Sequence, residues 1–151
     1  MRLQTYILLC FVPAMLACTS SMPWPEETFG SPGGYVKTVK VTPPLDSCAP
    51  DAYINGYRYG YMMAWNQAIT KNLEIADAAL RQNPHDSAAQ ANRRLYQAKL
   101  FNLGNINQVE NRFDYVPPSV ACESTSYVQG RGQGEKDAIR DVAALRATET
   151  Q

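Results

Sequence analysis

One pattern of residues occurs twice in this chain, and the second copy lies 74 positions after the first. In each copy two prolines precede a cysteine, which is followed by a tyrosine, two glycines and an alanine. The matched pairs are Pro43 and Pro117, Pro44 and Pro118, Cys48 and Cys122, Tyr53 and Tyr127, Gly56 and Gly130, Gly60 and Gly134, and Ala64 and Ala138. The small residues recur at every fourth position, which places them on one face of a helix. The repeat therefore predicts two helices that pack closely through Gly56, Gly60, Ala64, Gly130, Gly134 and Ala138.

Residues 1–17 are typical of a secretory signal peptide. A positive charge is followed by a mostly apolar run from Leu3 to Leu16, which is too short to span a bilayer. Met15-Leu16-Ala17-Cys18 resembles the lipobox of bacterial lipoproteins, which predicts that Cys18 begins the mature chain and carries lipid. Ordinary cleavage that leaves Cys18 as a free thiol is the alternative. Because Thr19 rather than an aspartate follows, the resemblance implies an outer-membrane lipoprotein that faces the periplasm.

The other cysteines predict one disulfide. Cys10 leaves with the signal peptide and Cys18 takes the lipid, so Cys48 and Cys122 remain as a pair in an oxidising compartment. Two free, buried thiols are the alternative. The chain has a single histidine, His85, and no Cys-x2-Cys motif, so we predict no metal site.

Charge and residue spacing argue against two classes of function. The chain has 14 basic and 14 acidic residues without a basic patch, so nucleic-acid binding has no electrostatic support. Asp137 and Asp141 are four positions apart among Lys136 and Arg140, which predicts a solvated charged face of a helix. His85 falls in a predicted loop, and spacing implies no nucleophile or carboxylate partner for it. We therefore predict that the protein is not an enzyme and uses no cofactor.

Three stretches have the periodicity of amphipathic helices. The first begins at Asp51, a good N-cap, and extends to about Gln82. The second begins at the capping box Ser87-x2-Gln90 and extends to about Phe113, and the third begins near 124–126. At 1.5 Å per residue, an up-down pair of such helices brings residue 122 back beside residue 48. The predicted fold is all-α: a helical hairpin plus a third helix, forming an up-down-up three-helix bundle over 48–146 with one disulfide, and a frayed tail at 147–151.

Residues 18–47, which begin at the lipidated cysteine, have the composition of an extended, flexible tether. Prolines and glycines are interspersed with serines and threonines, and such a segment resists packing. Apolar and polar residues alternate at 35–41, as in a β-strand, but the sequence offers no evident partner strand. This stretch either packs on the helices or joins the edge of a sheet elsewhere.

Tyrosine and tryptophan are concentrated in the first helix. Tyr57, Tyr61 and Trp65 share its core stripe, whereas Tyr59 lies on another face. Tyrosine is enriched at protein interfaces, although tyrosines also fill the cores of small bundles with their hydroxyl groups at the rim. The candidate partner-binding residues are Tyr53, Tyr59 and Tyr127.

Three motifs resemble those of small enterobacterial outer-membrane lipoproteins, including the plasmid entry-exclusion lipoproteins. They are the lipobox, Cys48-Ala49-Pro50-Asp51-Ala52-Tyr53-Ile54-Asn55-Gly56-Tyr57, and the Cys-x4-Tyr-x2-Gly that begins at Cys122. The resemblance covers roughly residues 15–140. It implies a non-enzymatic protein that is anchored in the lipid bilayer through acylated (for example palmitoylated) Cys18. Such a protein binds an envelope protein and reduces the uptake of related DNA. The alternative is a pilotin-like or accessory lipoprotein that assembles a secretion or envelope complex.

Overall fold

The computed structural model describes residues 26–30, 34–103 and 121–147. These residues form two short strands and three helices: β1 (Glu26–Phe29), β2 (Lys37–Lys40), α1 (Pro50–Gln82), α2 (Ser87–Ala98) and α3 (Ala121–Ala147). The prediction of a mostly helical chain with three helices is thereby confirmed. The predicted signal peptide, the lipidation site Cys18 and most of the predicted tail lie outside the described residues.

Helices α1 and α3 run parallel and make the most extensive contact between described elements. The Cys48–Cys122 disulfide joins them at one end, with Cα atoms 6.0 Å apart. At the other end the guanidinium of Arg146 donates to the side-chain oxygen of Asn72. Both pairs are 74 residues apart, which is also the shift between the two copies of the sequence pattern. The sequence repeat is therefore a structural repeat, with equivalent residues of the two helices at the same level.

Four glycines allow the backbones of α1 and α3 to approach closely. Each faces a backbone carbonyl of the other helix: Gly56 faces Tyr127, Gly60 faces Arg131, Gly130 faces Tyr53 and Gly134 faces Tyr57. A side-chain carbon at any of the four would collide with that carbonyl. The pattern is reciprocal, because each carbonyl belongs to the residue three positions before a glycine. Further along the same faces, Ala138 is fully buried and Ala64 is partly buried.

Part of the predicted tether is folded, so the predictions of an all-α protein and of a flexible tether over 18–47 are wrong at the two strands. The strand-like alternation at 35–41 is confirmed as β2, which packs on the helices and pairs with β1, a partner that the sequence did not reveal. The strands pair antiparallel, in a register that places Glu26 opposite Lys40, Glu27 opposite Val39, Thr28 opposite Thr38 and Phe29 opposite Lys37. The physical reason is burial, because Phe29 and Val41 both lie in the core with the aromatic residues of α1. That apolar burial offsets the conformational entropy lost when the segment becomes ordered.

The predicted second helix is interrupted, because α2 ends at Ala98 and residues 99–103 leave the helix. The rest of the predicted helix, over 104–113, lies outside the described residues. The chain leaves the helix after Ala98 because polar contacts hold the next residues against α1. The indole nitrogen of Trp65 donates to the carbonyl of Lys99 at 2.7 Å. The side-chain amide of Asn66 accepts from the N–H of Phe101 and donates to its carbonyl, each at 3.0 Å. These bonds bury the Phe101 ring in the core, which a continuing helix would not do.

The first turns of α1 and α2 also differ from prediction. Helix α1 begins at Pro50, so Asp51 lies in the first turn rather than at the N-cap. Its negative charge still suits the positive end of the helix dipole there. Helix α2 is capped by Asp86, whose carboxylate accepts from the N–H of Ala89 at 3.0 Å, rather than by Ser87. The turn between the two helices lies where the sequence predicts it.

Candidate functional site

The aromatic residues of α1 form a stacked column in the core. Rings of Tyr57, Tyr61 and Trp65 follow one another with centroid distances of 6.0 and 5.9 Å. Tyr35, from the segment that precedes β2, stacks on Trp65 at 5.5 Å. The prediction that the α1 residues share a core stripe is confirmed, since all three are buried.

The tyrosine hydroxyl groups of this column donate hydrogen bonds to carboxylates of α3. Tyr57 donates to Asp137 at 2.9 Å, and Tyr61 donates to Asp141 at 2.8 Å. The ammonium group of Lys37 on β2 lies 2.6 Å from Asp141. The prediction that the two aspartates form a solvated charged face is therefore wrong. Their spacing equals that of the two tyrosines, so the four side chains bridge two parallel helices.

The electrostatics of this bridge fix its protonation state. Burial and the bond to Asp141 raise the pKa of Tyr61 far above its ordinary value. Burial opposes ionisation of Asp141, but hydrogen bonds from Lys37 and Tyr61 outweigh it and hold the pKa of that carboxyl below its usual range. The hydroxyl therefore remains a donor and the carboxylate an acceptor at neutral pH. Neither group is poised to exchange a proton near neutrality, as general acid–base catalysis requires.

We expect Asp141→Asn to lower the free energy of unfolding by about 2 kcal/mol at neutral pH, because it leaves Lys37 and Tyr61 bonded to a weaker, neutral partner. The folded protein lowers the pKa of Asp141, so its carboxylate contributes stability above the unfolded pKa of about 4. That contribution is lost as the pH falls through the folded value. In urea titrations, the difference between wild type and variant should therefore shrink below about pH 4.

Glu135→Gln provides the matched control for this prediction. Glu135 is in the same helix and forms a salt bridge with Arg131 on the exposed surface. Exposed pairs of this kind contribute at most about 1 kcal/mol. A difference between wild type and Asp141→Asn that stayed constant on acidification would contradict the structural role of the carboxylate.

The three candidate partner-binding tyrosines have different surroundings. Tyr53 is only 6% exposed, and its carbonyl faces Gly130, so the structure corrects it to a core residue. Tyr59 and Tyr127 are half-buried. The guanidinium of Arg131 lies over the Tyr59 ring at 5.5 Å, one helical turn beyond Tyr127.

We call Tyr59, Tyr127, Val128 and Arg131 the tyrosine patch. Val128, which follows Tyr127 on α3, is 63% exposed. The patch combines aromatic and guanidinium groups, which are enriched in protein interfaces, with one exposed aliphatic side chain. Sequence reasoning found its two tyrosines but missed Val128 and Arg131. Both lie within about one helical turn after Tyr127, and this spacing was the signal in the sequence that could have identified them.

A groove of about 830 Å³ lies between α1 and α2. Small side chains form much of its lining, among them Ala76, Ala79, Ala88 and Ala89. Sequence reasoning missed this groove, because alanines in a helix are equally typical of ordinary helix propensity.

Polar residues lie towards the ends of this groove. Asn72 and Arg146 line one part, and Asp86 belongs to the turn at the other end. Asn72 is 3% exposed, and its side-chain nitrogen has no hydrogen-bond partner among the described residues. A buried donor without an acceptor costs about 1–3 kcal/mol.

Within the described ranges, no group of histidine, cysteine, aspartate or glutamate side chains could hold a metal ion. His85 is exposed in the turn between α1 and α2, where its backbone N–H donates to the side-chain oxygen of Asn83. No helix of the described part of the chain is long and apolar enough to cross a bilayer. The chain matches no protein family, no curated protein and no solved structure.

Proposed function

We propose that this protein is a lipid-anchored lipoprotein of the bacterial outer membrane that faces the periplasm and acts in plasmid entry exclusion. In this proposal acylated Cys18 is the anchor, and residues 48–146 form an up-down-up three-helix bundle that binds another envelope protein. The protein needs no catalytic activity for this role. The observation that carries the proposal is the tyrosine patch on the surface of the paired helices α1 and α3.

The composition and rigidity of the tyrosine patch support a role in binding protein. Tyrosine and arginine are enriched among the residues that dominate binding energy at interfaces. Tyr59 is on α1, and the other members are on α3, so the patch spans two helices. A disulfide and four glycine contacts hold those helices in register. A surface held in this way loses little conformational freedom when a partner binds.

The hydrogen bonds of the ionisable groups in the core support a non-enzymatic role. The aspartates and tyrosines that lie closest together are bonded to one another across α1 and α3. The carboxyl of Asp141 is further engaged by Lys37. These groups stabilise the helix pair, and they are not free to act on a substrate.

Conjugation frequency tests the proposal. Recipient cells that produce the protein should receive a related conjugative plasmid at least about tenfold less often than cells without it. Arg131→Ala should restore transfer, because losing a dominant interface residue costs about 2 kcal/mol, or about thirtyfold in affinity. Arg94→Ala on α2 is the matched control, since Arg94 is also exposed and lies outside the patch. Membrane abundance of each variant is measured by immunoblot of outer-membrane fractions.

The opposite results would be equally clear. Unchanged transfer for every plasmid in a panel of incompatibility types, with normal outer-membrane abundance, would overturn the exclusion role. Loss of an assembled secretion channel in cells without the protein would instead support the pilotin-like alternative. Equal effects of Arg131→Ala and Arg94→Ala would remove the tyrosine patch from the proposal.

A further inference from the structure

Helix α1 extends beyond the point where α3 ends. Arg146, close to the last described residue of α3, bonds to Asn72, whereas α1 continues to Gln82. Those last ten or so residues of α1 rise about 15 Å, and α2 is the described helix that packs beside them. The groove lies along this stretch, and no other helix of the described part of the chain covers its open side.

The lining of the groove suits close packing against another helical surface. Alanines of both helices let a helix approach closely, because they present no long side chains. Ile75, Leu95 and Tyr96 are the large apolar side chains of the lining, and Ile75 is 57% exposed. A large apolar side chain beside a run of small ones has the shape that another copy of the same surface can complement.

The charges of the groove are arranged in the same self-complementary way. Arg146 forms no ion pair with any described carboxylate, although it bonds to the amide of Asn72. Asp86 lies towards the other end, where it caps α2 through one carboxylate oxygen. When two copies of such a surface face each other in opposite directions, the cation of each copy lies beside the anion of the other. In such a twofold contact, residue i meets residue j twice.

We propose that this groove is the contact surface between two copies of this chain, related by a twofold axis perpendicular to α1. In this arrangement Arg146 of each copy lies beside Asp86 of the other. The axis then passes near the middle of the 72–82 stretch, and Ile75 of each copy packs near Ala79 of the other. The resulting contact joins two helical hairpins into a local four-helix arrangement.

The size of the surface sets the expected strength. Stretches of about 15 Å on two helices per copy bury less area than the roughly 800 Å² per partner of a standard interface. We therefore expect a weak dimer in solution, with a dissociation constant on the order of 10 µM, near −7 kcal/mol. The proposal depends on neither the lipid anchor nor the tyrosine patch.

Sedimentation equilibrium of the full chain, in a density-matched mild detergent at about 1–200 µM, tests the proposal. The wild type should pass from monomer to dimer over this range. Ile75→Asp should weaken the dimer at least tenfold, because it places a carboxylate in the apolar contact. Ile139→Asp is the matched control and should leave the dimer unchanged, since Ile139 is 60% exposed on α3 and outside the groove.

A charge exchange tests the twofold geometry itself. Arg146→Glu copies should stay monomeric, because two glutamates meet two aspartates, and Asp86→Lys copies should stay monomeric for the opposite reason. Mixed in equal amounts, the two variants should form a one-to-one heterodimer in which both contacts pair opposite charges. Circular dichroism of each variant checks that the helices persist, since Asp86→Lys removes the cap of α2.

Three results would overturn the proposal. A wild type that remains monomeric at 200 µM would leave the groove to another occupant, such as a helix of a different protein. A dimer weakened equally by Ile75→Asp and Ile139→Asp would place the contact elsewhere. Variants that associate no better mixed than alone would exclude the pairing of Arg146 with Asp86.

Discussion

Gly134→Ala is expected to lower the free energy of unfolding by about 3 kcal/mol, whereas Gly132→Ala in the same helix is expected to raise it by about 1 kcal/mol. A methyl group at Gly134 would collide with the backbone carbonyl of Tyr57, which cannot rotate away as a flexible side chain could. At Gly132 a methyl group would meet no atom within 4 Å apart from the neighbouring backbone of its own helix. There the substitution only removes the conformational entropy that glycine adds to the unfolded chain.

Urea denaturation of the two variants, followed by far-ultraviolet circular dichroism, measures this contrast. Gly60→Ala should behave like Gly134→Ala, because it faces the carbonyl of Arg131 in the mirrored contact. The pair at 132 and 134 shares helix, residue type and substitution, so helix propensity cancels between them. If both substitutions changed stability by the same amount, the helices would not be in backbone contact.

The helix pair was predictable because one set of residues specifies it twice. The glycines at every fourth position have a physical cost in a helix, so a close backbone contact was the natural explanation for them. The matched cysteines supplied the register, because a disulfide requires Cys48 and Cys122 to lie side by side. Two independent constraints therefore agreed on how α1 and α3 are placed.

β1 and the end of α2 were not predictable in the same way, although the alternation at 35–41 indicated β2. β1 shows no alternation that marks it as a strand, and it is ordered because Phe29 reaches the core beside Tyr57 and Tyr61. Helix α2 ends where Asn66, distant in sequence, bonds to both backbone groups of Phe101. In both cases tertiary contacts decide the local structure, and periodicity within the segment does not contain them.

The bridge between tyrosines and aspartates could have been predicted from the sequence, but it was not. Tyr57 and Tyr61 are four residues apart, as are Asp137 and Asp141, and the repeat already predicted which helices would face each other. Charged neighbours at 136 and 140 led instead to the prediction of a solvated face. Arg140 is exposed and its guanidinium pairs with both aspartates from the solvent side, but the aspartates themselves are half-buried. Equal spacing on two helices of known register was the better guide.

Removal of the disulfide has the largest effect that we expect from any change to this chain. The double variant Cys48→Ala, Cys122→Ala should lower the free energy of unfolding by about 4 kcal/mol, because the bond closes a loop of 74 residues. Most of that effect arises in the unfolded chain, which gains conformations when the loop is opened. The folded helix pair keeps its glycine contacts and its tyrosine–aspartate bridge, so the variant should fold to the same structure at low temperature.

Reductant provides the internal control for this prediction. Unfolding of the wild type in urea with dithiothreitol should match that of the double variant, and dithiothreitol should leave the double variant unchanged. Cys18→Ala should retain the full effect of reductant, because Cys18 takes no part in the bond. If reductant left the unfolding of the wild type unchanged, Cys48 and Cys122 would be free thiols. The register of α1 and α3 would then rest on the glycines and the bridge alone, and the penalty expected for Gly134→Ala would become the largest in the chain.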